Sequence, residues 1–222
     1  MAVYTKITNK EIISISNSYE LDKIIKFTGI KKGIENTNYL LRTRKKKLIL
    51  TIFEKRINKK DLPFFMNLMD RLNQKNILCP KPLKDKKGQH LNKIKGKSAC
   101  IVSFLEGKDK AKLNNKNCFE IGKNIAKFHK AANKIKLYRR NSMSVTQLDS
   151  LLKSIKIKSS KIGSGIVPIL YKNLKDIKKK WPKNLPSGII HGDLFIDNIF
   201  FNKKNFSGFI DFYFSSNDYL MY

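Results

Sequence analysis

The chain has 222 residues, of which 41% are hydrophobic, and a formal net charge of +30 at pH 7. This composition suffices for one large domain or two lobes with a packed core, and it excludes an intrinsically disordered chain. No apolar run is long enough to span a bilayer. The opening segment MAVYTKITNKEIISIS lacks the charged and apolar regions of a signal peptide, so we expect a cytoplasmic protein.

The positive charge comes almost entirely from lysine, and the sequence pI is about 10.1. Such a value is typical of nucleic-acid-binding proteins. The lysines, however, are spread along the whole chain, and arginine, which is better suited to bidentate phosphate and base contacts, is rare. Lysine, asparagine and isoleucine share AT-rich codons, so we interpret the bias as genomic and expect no specific nucleic-acid partner.

The three cysteines, Cys79, Cys100 and Cys118, are far apart and odd in number. They have neither the spacing of metal ligands nor that of a disulfide framework. We expect buried, reduced thiols, as in a cytosolic protein.

The first half of the chain predicts mainly strands. Thr8 or Asn9 can cap a short helix, and KIIKFTGI then reads as a strand. After the loop KKGIENTN, two strands surround a lysine-rich turn in YLLRTRKKKLILTIFEKR. Asp61 and Pro63 predict the start of a second helix, whose inner residues recur at the helical period: Phe64, Phe65, Leu68, Met69 and Leu72. A turn-rich segment with a hairpin, CPKPLKDKKGQHL, and a buried strand ending at Gly107 follow.

The second half is mainly helical, and the change of character falls near residues 103–108. The segment NCFEIGKNIAKFHKAAN predicts a helix with an inner side formed by Phe119, Ile121, Ile125 and Phe128, and with His129 packed in the core. Residues 145–157 and 166–180 also predict helices. Two short strands then surround the segment GIIHGDLFIDNIFF, and FSGFIDFYF follows.

The polar residues in GIIHGDLFIDNIFF predict chemistry. His191, Asp193 and Asn198 have the spacing His-x-Asp-x-x-x-x-Asn, which in kinases places the catalytic base and a metal ligand on one loop. Phosphoryl transfer also needs a second metal carboxylate, and Asp211, expected on a strand just after a hairpin, is placed to provide it. The alternative is a solvated turn with capping residues, which does not predict Asp211. For Asp197 the capping role stays open.

These residues resemble the aminoglycoside phosphotransferase-like kinases and, within that family, the bacterial homoserine kinases. The likeness runs along almost the whole chain, through the segments GIENTNYLLRT, LILTIFEKR, DLPFF, CPKP, IVSFLEGK, WPKNLPSGIIHGDLF and IDFYF. The resemblance implies an α+β, two-lobed protein-kinase-like fold and the use of ATP with Mg²⁺. It also implies phosphorylation of the L-homoserine hydroxyl, a step in threonine biosynthesis.

The resemblance further implies an organisation and a set of roles. Residues 1–102 would form a nucleotide-binding N-lobe of antiparallel sheet plus helix, residues 103–108 a hinge, and residues 109–222 a helical C-lobe with the catalytic loop. Asp193 would be the catalytic base, His191 would orient the loop and take no part in the chemistry, and Asn198 and Asp211 would be the metal ligands. The nucleotide would meet Gly33 and Asn36 at its phosphates, Lys55 as a candidate cation, and backbone groups near Phe104 and Leu105 at its adenine.

The sequence departs from this family in three respects. The loop GIKKGIENTN lacks the dense glycines of protein kinases. Thr51 stands where the phosphate-binding lysine would align, so Lys55 is the candidate in its place, and its carboxylate partner stays open between Asp61 and Asp70. Relatives continue beyond DYLMY with helices that complete the second lobe, so we expect a fragment of a longer protein, with an incomplete C-lobe.

Several alternatives remain open from the sequence. The shared loop performs the same chemistry on other hydroxyls, such as those of choline, methylthioribose or an aminoglycoside. A basic nucleic-acid-binding protein and a non-catalytic fragment are the rivals of another class. We expect a small-molecule partner and no membrane, and the sequence predicts no oligomeric state.

Overall fold

The chain folds into two units, each built from strands and helices. A computed structural model describes residues 3–33, 35–156, 165–203 and 205–222. The first unit comprises Met1–Leu137 and Asp193–Tyr213, and the second comprises Tyr138–Gly192 and Phe214–Tyr222. The helices are α1 Asn9–Ser18, α2 Leu62–Gln74, α3 Asn115–Ala132, α4 Val145–Lys156 and α5 Ile166–Lys180. The strands are β1 Ile24–Gly29, β2 Thr37–Thr43, β3 Lys47–Ile52, β4 Leu91–Ile94, β5 Lys97–Ser103, β6 Ser187–Ile190, β7 Ile199–Asn202, β8 Asn205–Phe209 and β9 Ser216–Tyr219.

A five-stranded antiparallel sheet of order β1-β2-β3-β5-β4 dominates the first unit. Alternate residues of a strand point to opposite faces, so Tyr39, Leu41, Leu48 and Leu50 lie on one face and are buried. Helix α1 contributes apolar side chains to the same core, and Thr8 caps it as predicted, with its backbone N–H donating to Glu11 Oε2 at 2.8 Å. The buried cluster consists of Ile7, Ile12, Ile15, Tyr19, Tyr39, Leu41, Leu48, Leu50, Ile52, Ile94, Ala99 and Ile101.

Helix α2 confirms the prediction made from its apolar period. It begins after Asp61, with Pro63 in its first turn, where the missing proline N–H has no intrahelical partner to lose. Its predicted inner residues are all buried: Phe64, Phe65, Leu68, Met69 and Leu72.

Helix α3 differs from its prediction in the face that it buries. Phe128 is buried as expected, but the side chain of Phe119 is 69% exposed. The buried residues of α3 are instead Asn117, Phe128 and Ala132, so the inner face is turned away from the position of Phe119. The helical period explains the difference, because Phe119 and Phe128 are nine residues apart and so lie about 180° from each other around the helix. His129 is half-buried, and burial lowers its pKa.

Three smaller expectations also need correction. Cys79 and Cys100 are buried, and burial raises the pKa of each thiol to about 12, but Cys118 is exposed. Strand β5 ends at Ser103, not at Gly107, and Ser103 is its last residue paired with β3, opposite Leu48. The hairpin lies between β4 and β5, after the segment CPKPLKDKKGQHL, which forms a turn closed by Gly88 N–H and the Asp85 carbonyl.

The second unit contains α4, α5 and a two-stranded antiparallel pair of β6 and β9. The two predicted helices are present at Val145–Lys156 and Ile166–Lys180; residue 157, the end of the first prediction, lies outside the described residues. The guanidinium of Arg139 donates to the Ser215 carbonyl at 3.1 Å. Among the described residues, we find no helix with the length and apolarity needed to cross a membrane.

Candidate active site

The segment GIIHGDLFIDNIFF joins β6 to β7, as the sequence predicted. His191 is buried at the end of β6, and its carbonyl accepts a hydrogen bond from Ser215 Oγ at 3.1 Å. Gly192 follows with φ of 80°, and a Cβ there would lie 2.5 Å from the Phe214 carbonyl oxygen. Only glycine fits this conformation and this close approach. The turn that leads into Asp193 therefore depends on Gly192.

Asp193 and Asn198 are joined directly by hydrogen bonds. Asn198 Nδ2 donates to the Asp193 carbonyl at 2.8 Å and to the carboxylate Oδ2 at 3.2 Å. A 3₁₀ turn over Ile196–Asn198 brings the two residues together, and the Asn198 carbonyl accepts from Ile210 N–H at 3.0 Å. Because the Nδ2 of Asn198 is engaged with Asp193, the amide oxygen Oδ1 is the atom that can ligate a cation.

Asp211 follows β8 and does not lie on a strand, contrary to the prediction. Its φ is 63°, a left-handed conformation that cannot continue an extended ladder, although aspartate adopts it more readily than most residues. The sequence correctly placed Asp211 after a hairpin, formed here by β7 and β8. The backbone bond between Ile210 and Asn198 holds Asp211 beside the loop that contains Asp193.

A cavity of about 320 Å³ in the first unit contains most of the predicted site residues. This volume falls within the range of small-molecule sites. Gly33, Asn36, Phe104, Leu105, Asn198 and Asp211 line it, and Asp193 adjoins it through Asn198. Four residues considered from the sequence are not among the described residues that line the cavity: His191, Lys55, Asp61 and Asp70. Lys55 is exposed, just beyond the end of β3.

Carboxylates are concentrated on one side of this cavity. The pKa of Asp211 is raised to about 6, first by burial and then by the charges of Asp193 and Glu35. Asp211 is nevertheless exposed to solvent, so burial here means that protein crowds the carboxylate from several sides without closing it off. The pKa of Asp193 is also raised, mainly by burial and further by Asp197. Crowded carboxylates of this kind favour a bound cation, which relieves their repulsion.

The donor atoms fit a magnesium ion that is shared with phosphate groups. Asp211 offers carboxylate oxygens and Asn198 an amide oxygen, and hard cations prefer oxygen ligands. Over residues 3–33, 35–156, 165–203 and 205–222, no group of three or more His, Cys, Asp or Glu side chains is arranged to hold a metal by itself. Magnesium in kinases is commonly held by one or two protein groups plus substrate phosphates, so two protein oxygens are sufficient.

The structure adds site residues that the sequence analysis did not select. Thr51 is buried in the cavity wall, and its Oγ1 donates to Asn38 Oδ1 at 2.7 Å across the paired strands β2 and β3. Tyr213 lines the same cavity, and its ring packs edge-on against Phe53 with the ring centroids 5.1 Å apart. Side chains alternate between the two faces of a sheet along β2 and β3. This alternation could have placed Asn38 and Thr51 on one face, provided that the strand register was known.

Comparison with known proteins agrees with this geometry. The model of the phosphotransferase enzyme family matches residues 26–222. The homoserine kinase of Rhizobium meliloti (strain 1021) is 41% identical over 222 residues, which are all of this chain and 68% of that protein. The homoserine kinase of Agrobacterium fabrum (strain C58) is also 41% identical, over all of this chain and 69% of its own length. The chain therefore belongs to the phosphotransferase enzyme family.

Solved structures share the fold at low sequence identity. The amicoumacin kinase hAmiN, in complex with AMP-PNP, Ca²⁺ and Ami, matches 97% of this chain and 66% of its own with a TM-score of 0.72 and 14% identity. The spectinomycin phosphotransferase APH(9)-Ia, in complex with ADP and spectinomycin, matches 97% of this chain and 72% of its own with a TM-score of 0.69 and 14% identity. These matches confirm the predicted protein-kinase-like α+β fold.

Proposed function

We propose that this chain is a homoserine kinase, which transfers the γ-phosphoryl group of ATP to the hydroxyl of L-homoserine and yields O-phospho-L-homoserine. The observation that carries this proposal is the identity of about 40% to homoserine kinases over every residue of the chain. The hydrogen-bonded Asp193–Asn198 pair and Asp211 at one cavity support the same chemistry. A place in threonine biosynthesis and a cytoplasmic location belong to the same proposal.

Asp193 is the proposed general base. Its carboxylate would accept the proton of the homoserine hydroxyl as the oxygen attacks the γ-phosphorus. Asn198 holds the Asp193 carboxylate at Oδ2, which leaves Oδ1 to face the acceptor. His191, buried before the Gly192 turn, would fix the course of the loop and take no part in proton transfer.

Asn198 and Asp211 are the proposed metal ligands. When bound, Mg²⁺ would supply positive charge that neutralises the nucleotide phosphates. Asp211 would present its carboxylate and Asn198 its Oδ1 to that ion, as their place in the cavity wall allows. Burial and the charges of Asp193 and Glu35 raise the pKa of Asp211, and a cation at this place would relieve that repulsion and favour the charged carboxylate.

The remaining proposed contacts are with the nucleotide. Gly33 has φ of 109° and open space at the position of a Cβ, so its backbone can approach the phosphates closely. Asn36 lines the same cavity. Lys55 stays a prediction as a phosphate-facing cation. The N–H of Phe104 donates to the Lys47 carbonyl at 3.3 Å, so we assign the adenine contact to the backbone of Leu105. We also propose that residues 1–102 form the nucleotide-binding N-lobe, residues 103–108 the hinge and residues 109–222 the C-lobe.

An acceptor comparison tests the function. The purified chain is incubated with Mg²⁺ and ATP and, in separate reactions, with L-homoserine, choline, methylthioribose and an aminoglycoside, and products are measured by ³¹P NMR. We expect a new phosphomonoester signal with homoserine, far above that of the other acceptors. Phosphorylation of another acceptor in preference to homoserine would overturn the substrate assignment, and nucleotide binding without transfer to any of them would overturn the activity.

A further inference from the structure

We propose that Arg56 supplies the cation that faces the transferred phosphoryl group in this chain, in place of a lysine on β3. The inference rests on the proposed phosphoryl transfer and deepens it, because it assigns the charge that the sequence analysis left open. It is carried by three observations: the neutral residue on β3, the attachment of the segment after β3 to the cavity wall, and the ion pair made by Arg56.

The position of the expected lysine holds a neutral side chain that is fully engaged. Thr51 faces the cavity from β3 and is buried, and its hydroxyl donates to Asn38 Oδ1 at 2.7 Å. Tyr213, from the segment after Asp211, lines the same cavity and is also neutral. A neutral network of this kind shapes the wall but cannot neutralise a phosphate, so the cation must come from another position.

The segment that follows β3 is tied to the wall by Glu54. Its carboxylate accepts hydrogen bonds from Thr5 Oγ1 at 2.6 Å and Thr37 Oγ1 at 2.7 Å, and it pairs with Lys97. The backbone N–H of Glu54 donates to the side-chain oxygen of Asn36, a cavity residue, at 3.4 Å. Glu54 is therefore a structural anchor, and it fixes where the residues just beyond it emerge.

Arg56, like Lys55, is exposed and is not among the described residues that line the cavity, but it pairs with a residue that does. Its guanidinium forms an ion pair with Glu35, which lines the cavity and acts electrostatically on Asp211. The positive charge of Arg56 also acts to lower the pKa of Asp193, against the raising effects of burial and Asp197. Lys32, a cation that does line the cavity, pairs instead with Asp109 at 2.8 Å. Arg56 is thus held by a carboxylate of the cavity wall, from which a phosphate-facing position is within reach of its side chain.

The chemistry of arginine suits this place. Its planar guanidinium can hold the Glu35 carboxylate with one edge and phosphate oxygens with another, because it has five donors in a fixed fork. In the transfer step the acceptor oxygen bonds to the γ-phosphorus, the bond from phosphorus to the β–γ bridging oxygen breaks with its electron pair going to ADP, and the hydroxyl proton goes to Asp193. Arg56 exchanges no proton and stabilises the charge on the equatorial oxygens.

The test compares Arg56→Gln and Arg56→Lys with Lys55→Gln, and uses Arg44→Gln, an exposed arginine in the β2–β3 turn, as the matched control. Binding of adenosine, ADP and ATP with Mg²⁺ is measured by calorimetry, and turnover with homoserine is measured separately. For Arg56→Gln we expect unchanged adenosine binding, at least about tenfold weaker ATP binding and a loss of roughly 10²-fold in kcat. Arg56→Lys should recover part of that loss, Lys55→Gln should lose less than Arg56→Gln, and Arg44→Gln should match the wild type.

The outcomes separate this inference from the proposed function. Equal weakening of adenosine and ATP by Arg56→Gln would show a role in folding, and a larger loss in Lys55→Gln would assign the cation to Lys55; either result overturns the inference. The Arg56 side chain is 65% exposed, so its variants should melt at the wild-type temperature. A wild type that binds ATP but leaves homoserine unphosphorylated would overturn the proposed substrate, while the nucleotide series would still decide the role of Arg56. A wild type that binds no ATP would overturn both.

Discussion

Asn198 binds Asp193 twice, through a 2.8 Å hydrogen bond to its carbonyl oxygen and a 3.2 Å bond to its carboxylate Oδ2. One amide therefore fixes both the backbone and the side chain of the proposed base. The same residue accepts a backbone bond from Ile210, next to Asp211, at 3.0 Å. Asn198 thus connects the two segments that hold the proposed catalytic and metal-binding carboxylates.

Replacement of the proposed base should separate chemistry from binding. We expect Asp193→Asn to retain nucleotide affinity and to lower kcat by about 10²–10⁴-fold, because the amide keeps the shape but cannot accept the hydroxyl proton. Single-turnover transfer to homoserine and calorimetric ATP binding measure the two effects. Asp176→Asn, an exposed carboxylate on α5, is the control. A variant at Asp193 that kept most of its turnover would remove this residue from the role of base.

Replacement of the proposed metal ligands should change the requirement for Mg²⁺. Asp211→Ala and Asn198→Ala are both expected to raise the Mg²⁺ concentration needed for half-maximal ATP binding, and the effect should be larger for Asp211 because a carboxylate binds a hard cation more strongly than an amide does. Titration of Mg²⁺ at fixed ATP measures it. An unchanged Mg²⁺ requirement in Asp211→Ala would contradict the whole assignment of the site.

The titration of Asp211 should affect stability in the absence of metal. Its pKa is about 6 in the folded chain, against an ordinary value of 3.8, so the folded state holds this proton more tightly than the unfolded state does. The contribution of Asp211 to stability is therefore fully present below pH 3.8 and is lost as the pH rises through about 6. The Asp211→Asn variant cannot lose this contribution. Its free energy of unfolding, relative to that of the wild type, should therefore be higher at pH 7.5 than at pH 4. Urea unfolding in EDTA checks it, and a difference between the two proteins that does not change with pH would contradict it.

The large positive charge should produce only weak nucleic-acid binding. Because the lysines are spread along the chain, we expect binding to DNA or RNA to be independent of sequence and to fall steeply as salt increases. Fluorescence anisotropy with two unrelated oligonucleotides at several salt concentrations measures it. Tight binding to one of them at physiological salt would instead favour a nucleic-acid-binding function.

The sequence by itself determined the elements and the residues of the loop. The apolar period of α2 was visible because a helix repeats every 3.6 residues, and the strands β2 and β3 were visible on either side of a lysine-rich turn. The spacing of His191, Asp193 and Asn198 lies within one short loop, so local sequence sufficed to find it. The family followed from motifs distributed along the chain, and the comparisons confirm it.

Only the tertiary structure decided which residues meet across long separations. Sheet register brings Asn38 opposite Thr51, and folding brings Arg56 to Glu35, pairs that depend on strand pairing and on the path of the chain after β3. Which face of α3 is buried was likewise decided by what packs against it; Asn117, Phe128 and Ala132 share the buried face, and Phe119 lies about 180° from Phe128. The left-handed backbone at Asp211 is also a tertiary result, because the loop contacts around Asn198 hold a conformation that the sequence FIDFYF does not require.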